Sequence, residues 1–278
     1  MSSRKLPVPA HFVNYGHRGH SSALPENTLR ALRSAIEAGA NAIEIDLRRT
    51  SDGVLVAFHD ETLVRTTDGA VIFPGREHLG VEMLTLAELK RLDAGAWMGL
   101  DHVGEPIPTL VEVVQAMQGR ARLVLDVKGS GTAAAVARVL EETSFDPTQV
   151  IVFAEGEALA DYRRHLPGAK LLAISHDVPS PYDDTFFAAQ RARGISGFSV
   201  AWESLAAQPD FIEAVHRHDM HIHVWTVNDR EQMQAALAAG VDGIGTDFPA
   251  VLAELIGVAS PVASDSTVGL LAPDDKPT

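Results

Sequence analysis

Two stretches of the chain carry acids where a strand would turn them inward. In "AIEIDLRR", residues 42–49, a period of two sends Glu44, Asp46 and Arg48 to one face and Ile43, Ile45 and Leu47 to the other. "LVLDVKG", residues 123–129, repeats the pattern, with Asp126 and Lys128 on one face and Leu125 and Val127 on the other. Buried carboxylates are costly unless they hold a cation or are paired. The chemistry is therefore a bound cation, or an ion pair joining Asp126 or Glu44 to Lys128 or Arg48. Two histidines add proton transfer to this. His17 stands beside Arg18 in "NYGHRGHSSALPENT" (14–28), and His59 ends "VLVAFHD" (54–60). Both follow strand-like runs beside acidic pairs, where one imidazole could take a proton and the other give one. His11, His78, His102, His165, His216 and His218 are expected on solvated loops or helix surfaces.

These residues need rigid elements to bring them together. Apolar runs of strand length, at 12–16, 42–47, 122–127, 150–153, 170–174, 197–201, 221–226 and 243–246, alternate with amphipathic runs of helix length. That rhythm predicts parallel strands in an α/β architecture. The run at 54–58 follows "TSDG", whose Asp-Gly pair signals a tight hairpin, so it is expected as an antiparallel extension over the mouth. The remaining strands suit a (β/α)8 TIM barrel, whose active sites lie at the C-terminal ends of the strands. Thr85 with Glu88 and Thr109 with Glu112 match capping boxes, and Pro209 is expected as a first helical residue. Along the chain the reading is an N-terminal arm at 1–11 and a barrel domain at 12–257. A short insertion at about 60–106 covers one end of the barrel, and a disordered tail fills 258–278.

With 46% hydrophobic and 22% charged residues among 278, the chain has the profile of a globular protein. A formal net charge of −14 argues against nucleic acid as a partner. No apolar run approaches the roughly 18 residues of a membrane span. The N-terminus lacks a signal-peptide pattern, so a cytoplasmic protein is expected. The absence of cysteine excludes disulfides, thiolate metal sites and cysteine nucleophiles. No feature sets an oligomeric state.

Several blocks together resemble the glycerophosphodiester phosphodiesterase family. They are "HRG" (17–19), "PENT" (25–28), "GANAIEIDLRRTSDGVLVAFHDETLVRTT" (39–67), "IPTL" (107–110), "VWTVN" (224–228) and "DGIGTDFP" (242–249), in the family's order between about residues 15 and 255. The resemblance implies a TIM-barrel phosphodiesterase with one divalent cation at Glu44, Asp46 and Asp126. His17 and His59 match the family's acid/base pair, and Arg18 its phosphate-binding arginine. Lys128 would help to stabilise phosphate charge. All-oxygen ligation suits Mg²⁺ or Ca²⁺. Trp225, which alternation sets on one face with His221 and His223, would pack on the alcohol moiety; filling a barrel layer is the other reading for Trp225 and the favoured one for His223. Glu26 and Asn27 are assigned to helix start and loop bracing, and Asp247 to a helix cap.

Asp126 departs from the family's more frequent glutamate, although the related sphingomyelinase D proteins carry aspartate there. A second departure, "FAE" at 153–155, falls on the pocket wall. The implied reaction converts a small-molecule glycerophosphodiester to sn-glycerol 3-phosphate and an alcohol through a cyclic phosphate. The nearest rival is a lysophospholipase D on the same fold. A barrel that binds phosphodiesters without turnover is the rival from another class, but it has no need of a proton-transfer pair.

Overall fold

The computed structural model describes residues 8–258 except positions 77 and 118. Most of the expected arm and of the expected tail thus lie outside the described residues. Eight parallel strands close on themselves: β1 (Val13–Gly16), β2 (Ala42–Arg49), β4 (Arg122–Val127), β5 (Val150–Ala154), β6 (Lys170–Ser175), β7 (Gly197–Ala201), β8 (His221–Trp225) and β9 (Gly243–Thr246). Closure is made by β1, which pairs with both β2 and β9. The chain folds as a (β/α)8 barrel, and β3 (Leu55–Ala57) runs antiparallel to the end of β2, as the Asp-Gly turn predicts. In that turn Gly53 takes φ +87°, a region open to glycine.

Alternation along the strands divides the core in two. Ile43, Ile45, Leu123 and Leu125 face outward into the layer beneath the helices. Val13, Tyr15, Ala42, Val124, Ile151, Phe153 and Leu172 pack inside the barrel. The Tyr15 and His223 rings stack at 5.8 Å between centroids, and Phe153 meets His223 edge-on at 5.9 Å. Space for these rings comes from β9: a Cβ on Gly243 would lie 2.7 Å from the imidazole of His223, and one on Gly245 would fall on the ring of Tyr15. His223 therefore fills a barrel layer, and burial pushes its pKa down to about 3, so it stays neutral.

Helix ends follow the local chemistry. Thr28 caps α1 (Leu29–Glu37) by accepting from the backbone N–H of Ala31. Both capping boxes form, at Thr85–Glu88 and at Thr109–Glu112. Pro209 sits one residue earlier than expected, as the N-cap of the helix Asp210–Arg217. The described residues of 60–106 hold only short helical turns. Leu63, Phe73, Val81, Leu84, Leu89 and Leu92 pack there with Val56 and Phe58 of the hairpin into a separate apolar cluster. Among the described residues no helix is long and apolar enough to cross a membrane.

One expectation about a single residue fails. Asp247 does not cap the last helix; Phe248 is the N-cap there, and the Asp247 carboxylate turns away to bind His17, Ser21 and Asn228. His11 and His216 are exposed, on a turn and on the helix Asp210–Arg217 as expected, and each in addition hydrogen-bonds the same buried carboxylate, Asp242, at 2.9 Å. Sequence distance hides both arrangements, since the partners are brought together only when the barrel closes.

Candidate active site

A cleft of about 730 Å³ opens at the C-terminal ends of the strands, lined among others by His17, Arg18, Glu44, His59, Asp126, Lys128 and Trp225. Asp46, 1% exposed, lies behind this lining, against Arg18 and Lys128 at 3.1 Å each. His17 and His59, the three acids, Arg18, Lys128 and Trp225 therefore come to one place, whereas Arg48 pairs with Glu82 and the backbone carbonyl of His59 instead of with an acid of the site. Strand period brings the acids there: Glu44 and Asp46 are inward positions of β2, with Asp46 level with Asp126 on the neighbouring β4, while His17 and Arg18 follow the end of β1 and His59 the end of β3.

The three carboxylates each offer an oxygen within 4.8 Å of the others, close enough to hold one metal ion. Their surroundings hold them unequally. Burial and the neighbouring Asp46 push Glu44 up to about 8, against an attraction to His17. Burial raises Asp126 as well, opposed by Lys128 at 2.7 Å. For Asp46 burial acts upward too, but Arg18 and Lys128 outweigh it and hold that carboxyl below its ordinary value. Lys128 Nζ is 3.1 Å from Asp46, and Arg18 Nε approaches it at 3.1 Å as an ion pair without hydrogen-bond alignment. Once Glu44 is ionised, Glu44, Asp46 and Asp126 outnumber Arg18 and Lys128, the two fixed cations that face them. A set of hard oxygen donors with surplus negative charge fits a divalent cation of the Mg²⁺ or Ca²⁺ kind.

Each histidine is gripped at Nδ1 by its own aspartate: His17 by Asp247 and His59 by Asp60, both at 2.7 Å. That bond leaves Nε2 of each ring as the atom able to exchange a proton with a ligand in the cleft. Burial disfavours the imidazolium of His17, yet the Asp247 hydrogen bond and the charge of Glu44 prevail and raise its pKa. Arg18 has φ +56°, and its backbone N–H donates to Glu44 at 2.7 Å while its guanidinium donates to Glu26 at 2.8 Å. Asn27 clamps Asp46 from both sides, donating to its carboxylate at 2.8 Å and accepting from its backbone N–H at 3.2 Å. The bracing role given to Glu26 and Asn27 thus acts on the site itself.

The family model for the glycerophosphoryl diester phosphodiesterase family matches residues 17–251. The chain belongs to this family. A glycerophosphodiester phosphodiesterase of Caldanaerobacter subterraneus is 32% identical over 86% of this chain and 96% of its own. Among solved structures, an Oleispira antarctica phosphodiesterase in complex with the product sn-glycerol-3-phosphate superposes with a TM-score of 0.78 at 27% identity, covering 91% of this chain and 97% of that one. A glycerophosphodiester phosphodiesterase from Agrobacterium tumefaciens gives 0.73 at 26%, over 86% and 97%.

In this member of the glycerophosphoryl diester phosphodiesterase family, three positioning residues were not legible from strand period. Asp247 and Asp60 fix the histidines, as above. Arg65, from the loop after β3, donates with both edges of its guanidinium: to Asp60 at 2.7 Å and to Glu26 at 2.8 and 2.9 Å. It thereby ties the holder of His59 to the holder of Arg18. The available signal was adjacency: Asp60 follows His59 directly, and Arg65 and Asp247 both fall inside blocks shared with the family. On the pocket wall, Phe153 is buried in the interior layer, while Glu155 opens onto the cleft with Glu157 and His176. Trp225 also faces the cleft, with its ring edge-on to His176 at 5.7 Å and its indole N–H without a hydrogen-bond partner among the described residues.

Proposed function

We propose that this protein hydrolyses glycerophosphodiesters to sn-glycerol 3-phosphate and an alcohol, with His17 and His59 as the acid/base pair. The observation that carries this reading is the convergence of two aspartate-held imidazoles, a guanidinium and a three-carboxylate set at one barrel mouth. A binding module has no use for two oriented proton carriers. Glu44, Asp46 and Asp126 would hold the divalent cation, which supplies Lewis-acid polarisation and charge neutralisation at the phosphate when bound.

The chain's own residues do the rest. Arg18 and Lys128 face the phosphate oxygens and stabilise the charge that builds on them. One histidine takes the proton of the glycerol hydroxyl vicinal to the phosphate, and that oxygen attacks phosphorus. The other protonates the departing alcohol. Water then opens the cyclic phosphate with the two histidines in exchanged roles. Trp225 offers the alcohol moiety an aromatic face. The test is release of glycerol 3-phosphate from glycerophosphocholine by the purified protein, its loss on exhaustive chelation, and its return with Mg²⁺ or Ca²⁺. Full turnover after chelation would remove the metal from the reading.

A second reading has its own observation. Among the described residues, six of the eight exposed large hydrophobic side chains, including Leu100 at 91% and Val71 at 77%, belong to residues 60–106. Apolar side chains held out from this segment suit a lysophospholipase D that meets its substrate in an aggregate. Faster cleavage of lysophosphatidylcholine than of glycerophosphocholine would favour it.

A further inference from the structure

The end of the barrel away from the cleft carries a second convergence of ligating side chains. Asp242, just before β9, is buried, and its two oxygens serve different partners. Oδ1 meets Nε2 of His11 at 2.9 Å. Oδ2 meets Nε2 of His216 at 2.9 Å and accepts from the backbone N–H of Ile222 at 2.9 Å. His221, the first residue of β8, turns Nδ1 toward the same carboxylate at 3.9 Å, with its ring 5.5 Å from that of His11. One nitrogen each from His11 and His221 and one oxygen of Asp242 lie within 4.8 Å of one another.

We infer that His11, His221 and Asp242 form a second metal site, one that takes a transition-metal dication such as Zn²⁺. Donor chemistry separates it from the set at the mouth. Two imidazoles and a carboxylate suit Zn²⁺ and its neighbours in the first transition row, whereas three carboxylates suit Mg²⁺ or Ca²⁺. Ligands about 2.0–2.2 Å from a tetrahedral ion stand roughly 3.3–3.6 Å apart, so side-chain rotations of about 1 Å gather the three atoms around one. His216 and the Ile222 N–H hold Oδ2 and fix the orientation of the carboxylate, as outer partners of metal ligands do. The His11 side chain is 47% exposed, which leaves solvent a route to the remaining coordination position.

Lys170 sets the sign of a distinctive test. Its Nζ is 3.3 Å from Nε2 of His221. An ammonium there donates to Nε2 and places the ring proton on Nδ1, the atom the metal needs. Binding requires that proton to move to Nε2 and Lys170 to turn away, so Lys170 competes with the metal by hydrogen bond and by charge.

The experiment titrates the full chain with Zn²⁺ in excess Mg²⁺ against a chromogenic chelator, with the d–d spectrum of bound Co²⁺ as a second readout. Wild type should bind one Zn²⁺ that Glu44→Gln keeps and His11→Asn loses together with the Co²⁺ spectrum. His216→Ala should weaken binding about 10- to 100-fold, and Lys170→Met should tighten it. His11 is part-exposed, so His11→Asn keeps the fold, checked by its melting curve and its turnover at the far end of the barrel. Failure of wild type to bind Zn²⁺, or a bound ion lost in Glu44→Gln and kept in His11→Asn, would overturn the site. Weaker binding in Lys170→Met would overturn its placement at Nδ1.

Discussion

Nδ1 of His17 lies 2.7 Å from Oδ1 of Asp247, joining the end of β1 to the loop after β9, 230 residues later. The carboxylate raises the affinity of His17 for a proton against the opposing effect of burial. In Asp247→Asn the pH–rate limb belonging to His17 should move to lower pH, because the group that favours the imidazolium has lost its charge. His17→Ala and His59→Ala should each lose about 10²- to 10⁴-fold in kcat with an unchanged melting temperature. His165→Ala, on the surface beside Asp161, is the control. A loss at His165 equal to that at His59 would show that stability was being measured.

Arg65 should matter through geometry rather than stability. Its side chain is 47% exposed, so its ion pairs are screened and contribute little to folding. Arg65→Met leaves Asp60 and Glu26 facing each other without their shared cation, and His59 and Arg18 lose their fixed orientation. Small misplacements can cost up to about 10²-fold in rate, so kcat should fall with KM and the melting temperature little changed. A fall in the melting temperature with kcat intact would make Arg65 a structural residue only.

The carboxylate set predicts a pH dependence of fixed sign. Glu44 is held near 8 in the fold against an ordinary value of 4.5. The folded protein without metal therefore binds an extra proton between those values, and its stability should fall as pH rises from about 4.5 to about 8. Metal displaces that proton, so metal affinity should rise with pH across the same window and level off above it. Melting curves across pH, with and without Mg²⁺ or Ca²⁺, check this against Glu44→Gln, which should flatten the slope. Asp126→Glu should keep part of the activity, and Asp126→Asn should weaken metal binding. If Asp126→Asn titrates metal like wild type, Asp126 is not a ligand.

The substrate's own hydroxyl is the remaining prediction. Among the described residues that line the cleft, the hydroxyls of Ser130, Ser175, Thr226 and Tyr15 are not paired with either histidine; Ser175 donates to the backbone of Asp177 and Tyr15 to that of Val224. A well-oriented intramolecular attack has an effective molarity of about 10⁵ M or more. Glycerophosphocholine with hydrogen in place of its 2-hydroxyl should bind and turn over slowly, and phosphorus NMR should detect a cyclic phosphate with the normal substrate. Equal rates for the two compounds would mean that water attacks directly.

Strand period and turn chemistry were enough to place the barrel. Inward acids at 44, 46 and 126 follow from alternation alone, and the Asp-Gly turn fixed β3 as a hairpin return. Those features are local, set by backbone geometry within a few residues. What the sequence did not carry is pairing between distant segments. Asp247 looked like a cap because an acid before Pro249 satisfies the local rule for a helix start; only closure of β1 against β9 brings it to His17. His11 and His216 do lie at the surface, but nothing local shows that both converge on Asp242. The charge state of Glu44 is likewise a tertiary property in part, since it depends on burial and on Asp126 of the adjacent β4 as well as on Asp46 two residues along its own strand. A side chain's direction is encoded by its neighbours in the chain, while its partner, and so its protonation, is chosen by which strand ends the closed barrel puts side by side.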